Sequence, residues 1–197
     1  MTIGRTTTTN IAIFASGSGS NFENISRHFL TDLSAKVALL VCNKADAFVV
    51  TRAKLLGIPC HVVTKSDFND EYTMMALLRR YDIDFIVLAG FLLMVPSWLI
   101  NAFPRRIVNI HPSLLPKYGG KGMYGRHVHE AVKAASDTVT GITIHYVSQQ
   151  CDDGEIIFQA TTALSPDDTP DDIAEKVHAL EKEHFPTIIS RVINQQS

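Results

Sequence analysis

An α/β fold is what this sequence predicts: a mostly parallel sheet flanked by helices, with an antiparallel extension at its C-terminal end. Three observations carry it. Between residues 10 and 110, apolar runs alternate with amphipathic stretches at least four times, the pattern of strand–helix–strand units. One run, residues 83–89, is almost unbroken in its apolar character, as expected of a strand covered on both faces. After Pro112 the grammar changes, and two strand-like segments, 138–147 and 155–164, follow each other with no helix between them.

The elements run as follows. Residues 10–15 form a first apolar strand, after a Thr6–Thr9 lead-in that reads as frayed. The strand ends in Ser16-Gly17-Ser18-Gly19-Ser20-Asn21, and a helix pattern covers 22–29. Residues 36–42, rich in Val and Leu, are the next strand; a turn at 43–46 leads into a helix over 47–56, closed by Gly57. A third strand spans 60–63, and helical periodicity covers 67–81. The 83–89 strand, a short helix over 98–103 and a strand over 106–110 complete this half. A Gly-rich loop, 118–125, precedes a helix over 127–135. The strand pair 138–147 and 155–164 then reads as antiparallel, and an amphipathic helix over 171–193 closes the chain, with Pro186 marking a place for a bend. No linker divides the sequence, so residues 1–197 read as one Rossmann-like domain.

Composition narrows the function. An apolar share of 46% supports a real core, and 19% charged residues argue against disorder. A net charge of −2 gives no bulk attraction to nucleic acid or to an anionic membrane. Cys42, Cys60 and Cys151 are odd in number and far apart, which predicts neither a disulfide framework nor a zinc site, and no other metal site is evident. The first ten residues lack the apolar core of a signal peptide, and the 11-residue apolar run 85–95 is too short to span a bilayer. A cytoplasmic protein with small-molecule partners, without nucleic acid or membrane, is the expectation; monomer and homodimer both remain open.

Three motifs carry candidate chemistry. The Gly17, Ser18, Gly19, Ser20, Asn21 loop sits between a strand and a helix, where free N–H groups and the positive helix end favour a phosphate; it is equally the form of a tight turn with an N-cap. Asn109 and His111 follow one another at an interval of two on a strand, so they share a face at its carboxyl end, where ligands bind in open α/β sheets. An amide donor beside an imidazole suits acyl transfer, the one stabilising an oxyanion and the other moving protons; a structural Asn and a satisfied His fit the same spacing. Asp152, in Asp152-Asp153-Gly154-Glu155, is either an acid that favours a charged neighbouring histidine or a turn residue. His127 and His129 do not share a helical face, His145 reads as structural within a strand, and His61, His178 and His184 show no partner pattern.

Together these motifs carry a family resemblance. VLAGFLLMV (87–95) and IVNIHPSLLPKYGG (107–120), with SGSGSN (16–21) upstream and ITIHYV (142–147) and CDDGEII (151–157) downstream, resemble the folate-dependent formyltransferases. HPSLLP is common to that wider group; SGSGSN, NKADAF (43–48) and the final helix are more particular to its glycinamide ribonucleotide branch. The additional N-terminal domain of formyltetrahydrofolate deformylases and the additional C-terminal domain of methionyl-tRNA formyltransferases do not fit in 197 residues. The likeness runs from residue 11 to about 193.

The resemblance implies transfer of a formyl group from 10-formyltetrahydrofolate, as cosubstrate, to the glycyl amine of 5′-phosphoribosylglycinamide in purine synthesis. A related folate-dependent formyltransferase or a formyltetrahydrofolate hydrolase is the alternative. The family's catalytic Asn, His and Asp fall on Asn109, His111 and Asp152, with His145 in support. Residues 17–21 and Glu181 would take the ribonucleotide phosphate and glycinamide. Leu92, Leu93, Met94, Val95, Asn109, Ser148, Gln149, Gln150, Cys151 and Asp152 would take the folate. The half over about 10–105 would then bind phosphate and the half over about 106–197 hold folate and chemistry. In the implied mechanism Asp152 keeps His111 charged. Three departures stand out: Leu93 occupies a position where many relatives have Arg, the familiar acid-Gly-Gly reads Asp152-Asp153-Gly154, and the loop after Tyr118, GGKGMYGRHVHEA (119–131), differs from the shorter PGLHxH form, with His127 and His129 expected at the border of the site.

Overall fold

The computed structural model describes residues 8–196. Of the Thr6–Thr9 lead-in, the first two residues lie outside the described residues, and Thr9 already belongs to the first strand. Among the described residues seven strands form one sheet: β1 (Thr9–Phe14), β2 (Ala35–Cys42), β3 (Cys60–Val62), β4 (Phe85–Leu88), β5 (Ile107–His111), β6 (Val139–Tyr146) and β7 (Ile156–Ala163), in the order β3-β2-β1-β4-β5-β6-β7. The first five pair in parallel; β6 and β7 add on antiparallel, as the change of grammar after Pro112 predicts.

The apolar runs are explained by burial on two faces. On β1, Ile11 and Ile13 point to one core, and Ala12 and Phe14 to the other. Helices α1 (Ser20–His28), α2 (Phe48–Leu55), α6 (Arg126–Ala134) and α7 (Pro170–Asn194) cover the first face. Helices α3 (Lys65–Asn69), α4 (Glu71–Arg80) and α5 (Ser97–Ala102) cover the second. Phe22 and Ile25 of α1 are fully buried, each worth about 1.5–3 kcal/mol by transfer from water. Among the described residues no helix is long and apolar enough to cross a membrane.

Two helices depart from the sequence reading. The single helix predicted over 67–81 is two, because Asp70 leaves the helical conformation (φ −83°, ψ 109°) and its carboxylate caps α4 by accepting from Thr73 N–H at 2.8 Å. A capping box between Thr64 and Asp67 starts α3 just before it. The closing helix runs unbroken through Pro186. Proline has no N–H for the carbonyl four residues back, and that carbonyl, on Lys182, accepts from the Asn24 side chain of α1 at 2.9 Å instead.

The parallel strands end on one side of the sheet. β1 sends its chain to β2 on one flank and receives β4 on the other, so a crevice opens at this switch of direction, beyond the carboxyl ends of β1, β4 and β5.

Candidate active site

A cleft of about 840 Å³ occupies that crevice. Its walls are the loop after β1, the loop after β4, the end of β5, the loop before α6, the β6–β7 turn and one face of α7.

The loop after β1 presents backbone. Gly17, Ser18 and Gly19 turn their carbonyls to Val49 N–H, the Arg52 side chain and Glu23 N–H. Among the described residues no hydrogen-bond partner occupies the N–H groups of residues 17–21, which remain for an anion at the start of α1. Gly19 is required twice over: its φ is +78°, and a Cβ there would stand 2.5 Å from Val49 Cγ2. Asn21 differs from expectation. Its amide nitrogen donates to Glu181 Oε2 at 2.9 Å, so its side chain ties α1 to α7 and only its backbone N–H is left for a phosphate.

The folate segment is joined to this loop. Ser16, buried at the end of β1, accepts from Leu92 N–H at 2.9 Å and donates to Asn43 Oδ1 at 2.5 Å. Leu92 and Met94 are exposed to the cleft, while Leu93 leans on the second core, which suits an apolar side chain at that position. On the opposite turn Ser148, Gln150 and Cys151 line the cleft, and Gln149 between them is exposed.

Side chains build the centre. Asn109 stands opposite His145 in the β5–β6 register, and its amide nitrogen lies 3.1 Å from His145 Nε2. His145 Nδ1 sits 2.9 Å from the Tyr146 carbonyl, which makes it the donor; in the neutral ring Nε2 then accepts from Asn109. The second N–H of the Asn109 amide is left for the cleft. His111 is only 3% exposed and donates Nε2–H to the Tyr118 carbonyl at 2.7 Å, with Nδ1 3.5 Å from Asp152 Oδ2.

A buried polar cluster fixes that carbonyl: Ser113 Oγ donates to the Lys117 carbonyl at 2.7 Å, and Thr143 Oγ1 both donates to the Ser113 carbonyl and accepts from Leu115 N–H. Asp152, at φ +55°, accepts from Gly120 N–H at 3.0 Å and has Oδ1 3.7 Å from His145 Nε2. Of the two adjacent acids it is Asp152 that faces the histidines; Asp153 is exposed. A Cβ on Gly154 would run into the Tyr146 carbonyl, so glycine lets the turn carry Asp152 back over the strand.

The charge states correct one expectation. Burial pushes the His111 pKa below its ordinary value, against the pull of Asp152 and the Tyr118 carbonyl, with His145 adding to the depression. The resting His111 is therefore neutral near pH 7, because desolvation of the imidazolium outweighs the carboxylate that was expected to hold it charged. For Asp152 burial acts upward, yet His145, the His111 charge and Gly120 N–H outweigh it and the pKa falls. A carboxylate thus waits beside Nδ1, where a proton on His111 would settle.

One residue escaped the sequence reading, and one of a pair expected at the border of the site is now placed. His178, which showed no partner pattern, is one turn from Glu181 and pairs with it through Nδ1 at 2.9 Å, raising the His178 pKa. The interval of three on one helix was the available signal. His129, on α6, is buried in the cleft wall, whereas His127 stays exposed beside Glu130. Nothing in their spacing separates the two.

The formyl transferase family model matches residues 9–189. The chain belongs to the formyl transferase family. It is 36% identical over 187 residues to a phosphoribosylglycinamide formyltransferase of Bacillus subtilis, covering 92% of this chain and 93% of that protein. It is 41% identical over 180 residues to a chloroplastic phosphoribosylglycinamide formyltransferase of Arabidopsis thaliana, covering 88% of this chain. The chain spans about three fifths of the length of that protein and of a cowpea (Vigna unguiculata) counterpart. Among solved structures, the phosphoribosylglycinamide formyltransferase of Bacillus halodurans superposes with a TM-score of 0.86 at 36% identity, covering 96% of this chain and 97% of that one. The Anaplasma phagocytophilum enzyme of the same name gives 0.87 at 31% identity, covering 95% and 88%. The α/β fold with an antiparallel C-terminal extension is thus the fold of these relatives.

Proposed function

We propose that this chain transfers the formyl group of 10-formyltetrahydrofolate to the glycyl amine of 5′-phosphoribosylglycinamide. The observation that carries the reading is the meeting of Asn109, His111 and Asp152 in the same cleft as a backbone anion cradle, in a member of the formyl transferase family. Residues 10–105 supply the phosphate cradle and the Leu92–Met94 lip; residues 106–197 supply the chemistry and the Glu181 wall. The apolar lip, faced by the β6–β7 turn, fits a flat ring system.

Attack of the neutral amine on the formyl carbon gathers negative charge on the formyl oxygen. The free N–H of Asn109 stabilises that oxyanion, which strengthens as charge develops. His111 is neutral at rest and acts as a proton carrier: a proton taken from the attacking nitrogen sits at Nδ1 against Asp152, and is then returned to the departing folate nitrogen. His145 orients the Asn109 amide through its Nε2.

The test is to mix the protein with 10-formyltetrahydrofolate and follow tetrahydrofolate release with and without the ribonucleotide. Release that depends on the ribonucleotide, with formylated product by mass spectrometry, is expected. Release at the same rate without it means hydrolysis and overturns the reading.

A further inference from the structure

Three histidines are almost fully buried: His111, His129 and His145, with His129 4% exposed. His111 and His145 have both ring nitrogens engaged by Tyr118 and Asp152, and by Tyr146 and Asn109. His129 has neither. Its Nδ1 is sealed from solvent with no hydrogen-bond partner, and among the described residues no group bonds its Nε2. An orphaned polar atom in the interior is unfavourable, and in a packed wall Leu would serve the fold better.

The placement says what the ring is for. Val128 and Val132 of α6 enter the core, and His129, one residue on, forms part of the cleft wall. The charged and titratable groups whose fields reach it are His178, Glu181 and Asp171 of α7 and His111 of β5. His129 therefore shares the cleft with the proposed catalytic centre and the α7 wall. Burial, with His178 and His111, lowers its pKa, while Glu181 and Asp171 work the other way. With Nδ1 sealed, Nε2 alone is left to meet a ligand in the cleft, as one donor or one acceptor according to the tautomer. A glycinamide offers a partner for either, an amide carbonyl or an amine N–H.

We infer that His129 is a recognition residue for the amine substrate, its ring hydrogen-bonding the glycinamide part of a phosphoribosyl glycinamide from the α6 side of the cleft. The inference rests on the proposed activity for the identity of that substrate. An amine held by its N–H keeps its lone pair free for the formyl carbon. His129 thus acts on the acceptor alone.

Two measurements test it. In the wild-type protein labelled with ¹⁵N-histidine, His129 ring signals should move on adding 5′-phosphoribosylglycinamide and stay in place on adding 10-formyltetrahydrofolate. In His129→Leu, calorimetric Kd and steady-state KM for the ribonucleotide should rise about 10-fold, the loss of one neutral hydrogen bond, with KM for the formyl donor unchanged and His129→Gln recovering part. A ring signal that answers only the donor, or a Leu variant that binds the ribonucleotide within about twofold of wild type, overturns the inference. The NMR titration decides alone if the Leu variant does not fold. Wild-type protein that binds the ribonucleotide through His129 without formyl transfer removes the proposed function and leaves the inference standing.

Discussion

The two ends of the cleft are built from different materials. At the end of β1, the anion cradle is backbone: N–H groups of residues 17–21, with their carbonyls turned to neighbours. At the end of β5, the centre is side chain: Asn109, His111, His145 and Asp152, each fixed by another. The difference teaches where substitution should hurt. A backbone cradle tolerates changes of side chain but not of conformation, whereas a side-chain network loses function with any single member.

The largest effect should break the network. Asp152→Asn and Asn109→Ala should each lower kcat by about 10²–10³, the usual loss for an electrostatic or oxyanion partner, with an unchanged circular dichroism spectrum. Near wild-type turnover in either would remove that residue from the mechanism. At the cradle, Gly19→Ala meets both a left-handed φ and Val49, and should cost about 1–3 kcal/mol of stability and raise KM for the ribonucleotide. Ser20→Ala, in the same loop, should change stability by no more than about 0.5 kcal/mol and KM little. Equal damage from the two would mean that side chains, not backbone, hold the phosphate.

Acid should also separate the two ends. His111 and His129 have lowered pKa values in the folded protein, so below the ordinary histidine pKa of about 6.5 the unfolded chain binds more protons. The stability they contribute is present above that value and is lost as pH falls through the folded values. His178, with a raised pKa, contributes in the opposite sense, being lost as pH rises. Tm should therefore fall on going from pH ~7.5 to ~5.5, and less steeply in His129→Gln. The smallest effect lies away from the cleft: Asn24→Ala uncovers the Lys182 carbonyl and should cost about 0.5–1 kcal/mol in urea unfolding.

Much of this was legible in the chain. Alternating apolar runs predict the parallel sheet because a strand buried on both faces has no polar side to show, and the two strands after Pro112 announce the antiparallel extension. The interval between Asn109 and His111 predicts a shared face, because strand side chains repeat every two residues. Asp70 was harder: a carboxylate within an amphipathic run gives no notice that it will cap a new helix rather than sit on the old one.

What the sequence determined by itself is therefore local: strand and helix periodicity, the glycines of a tight loop, and residue types able to move a proton. Those properties follow from neighbours a few positions apart. The neutral state of His111, the capture of Asn21 by Glu181 and the orphaned nitrogen of His129 were decided only by tertiary structure. Each depends on groups tens of residues distant, and on how much water the packing between them leaves behind.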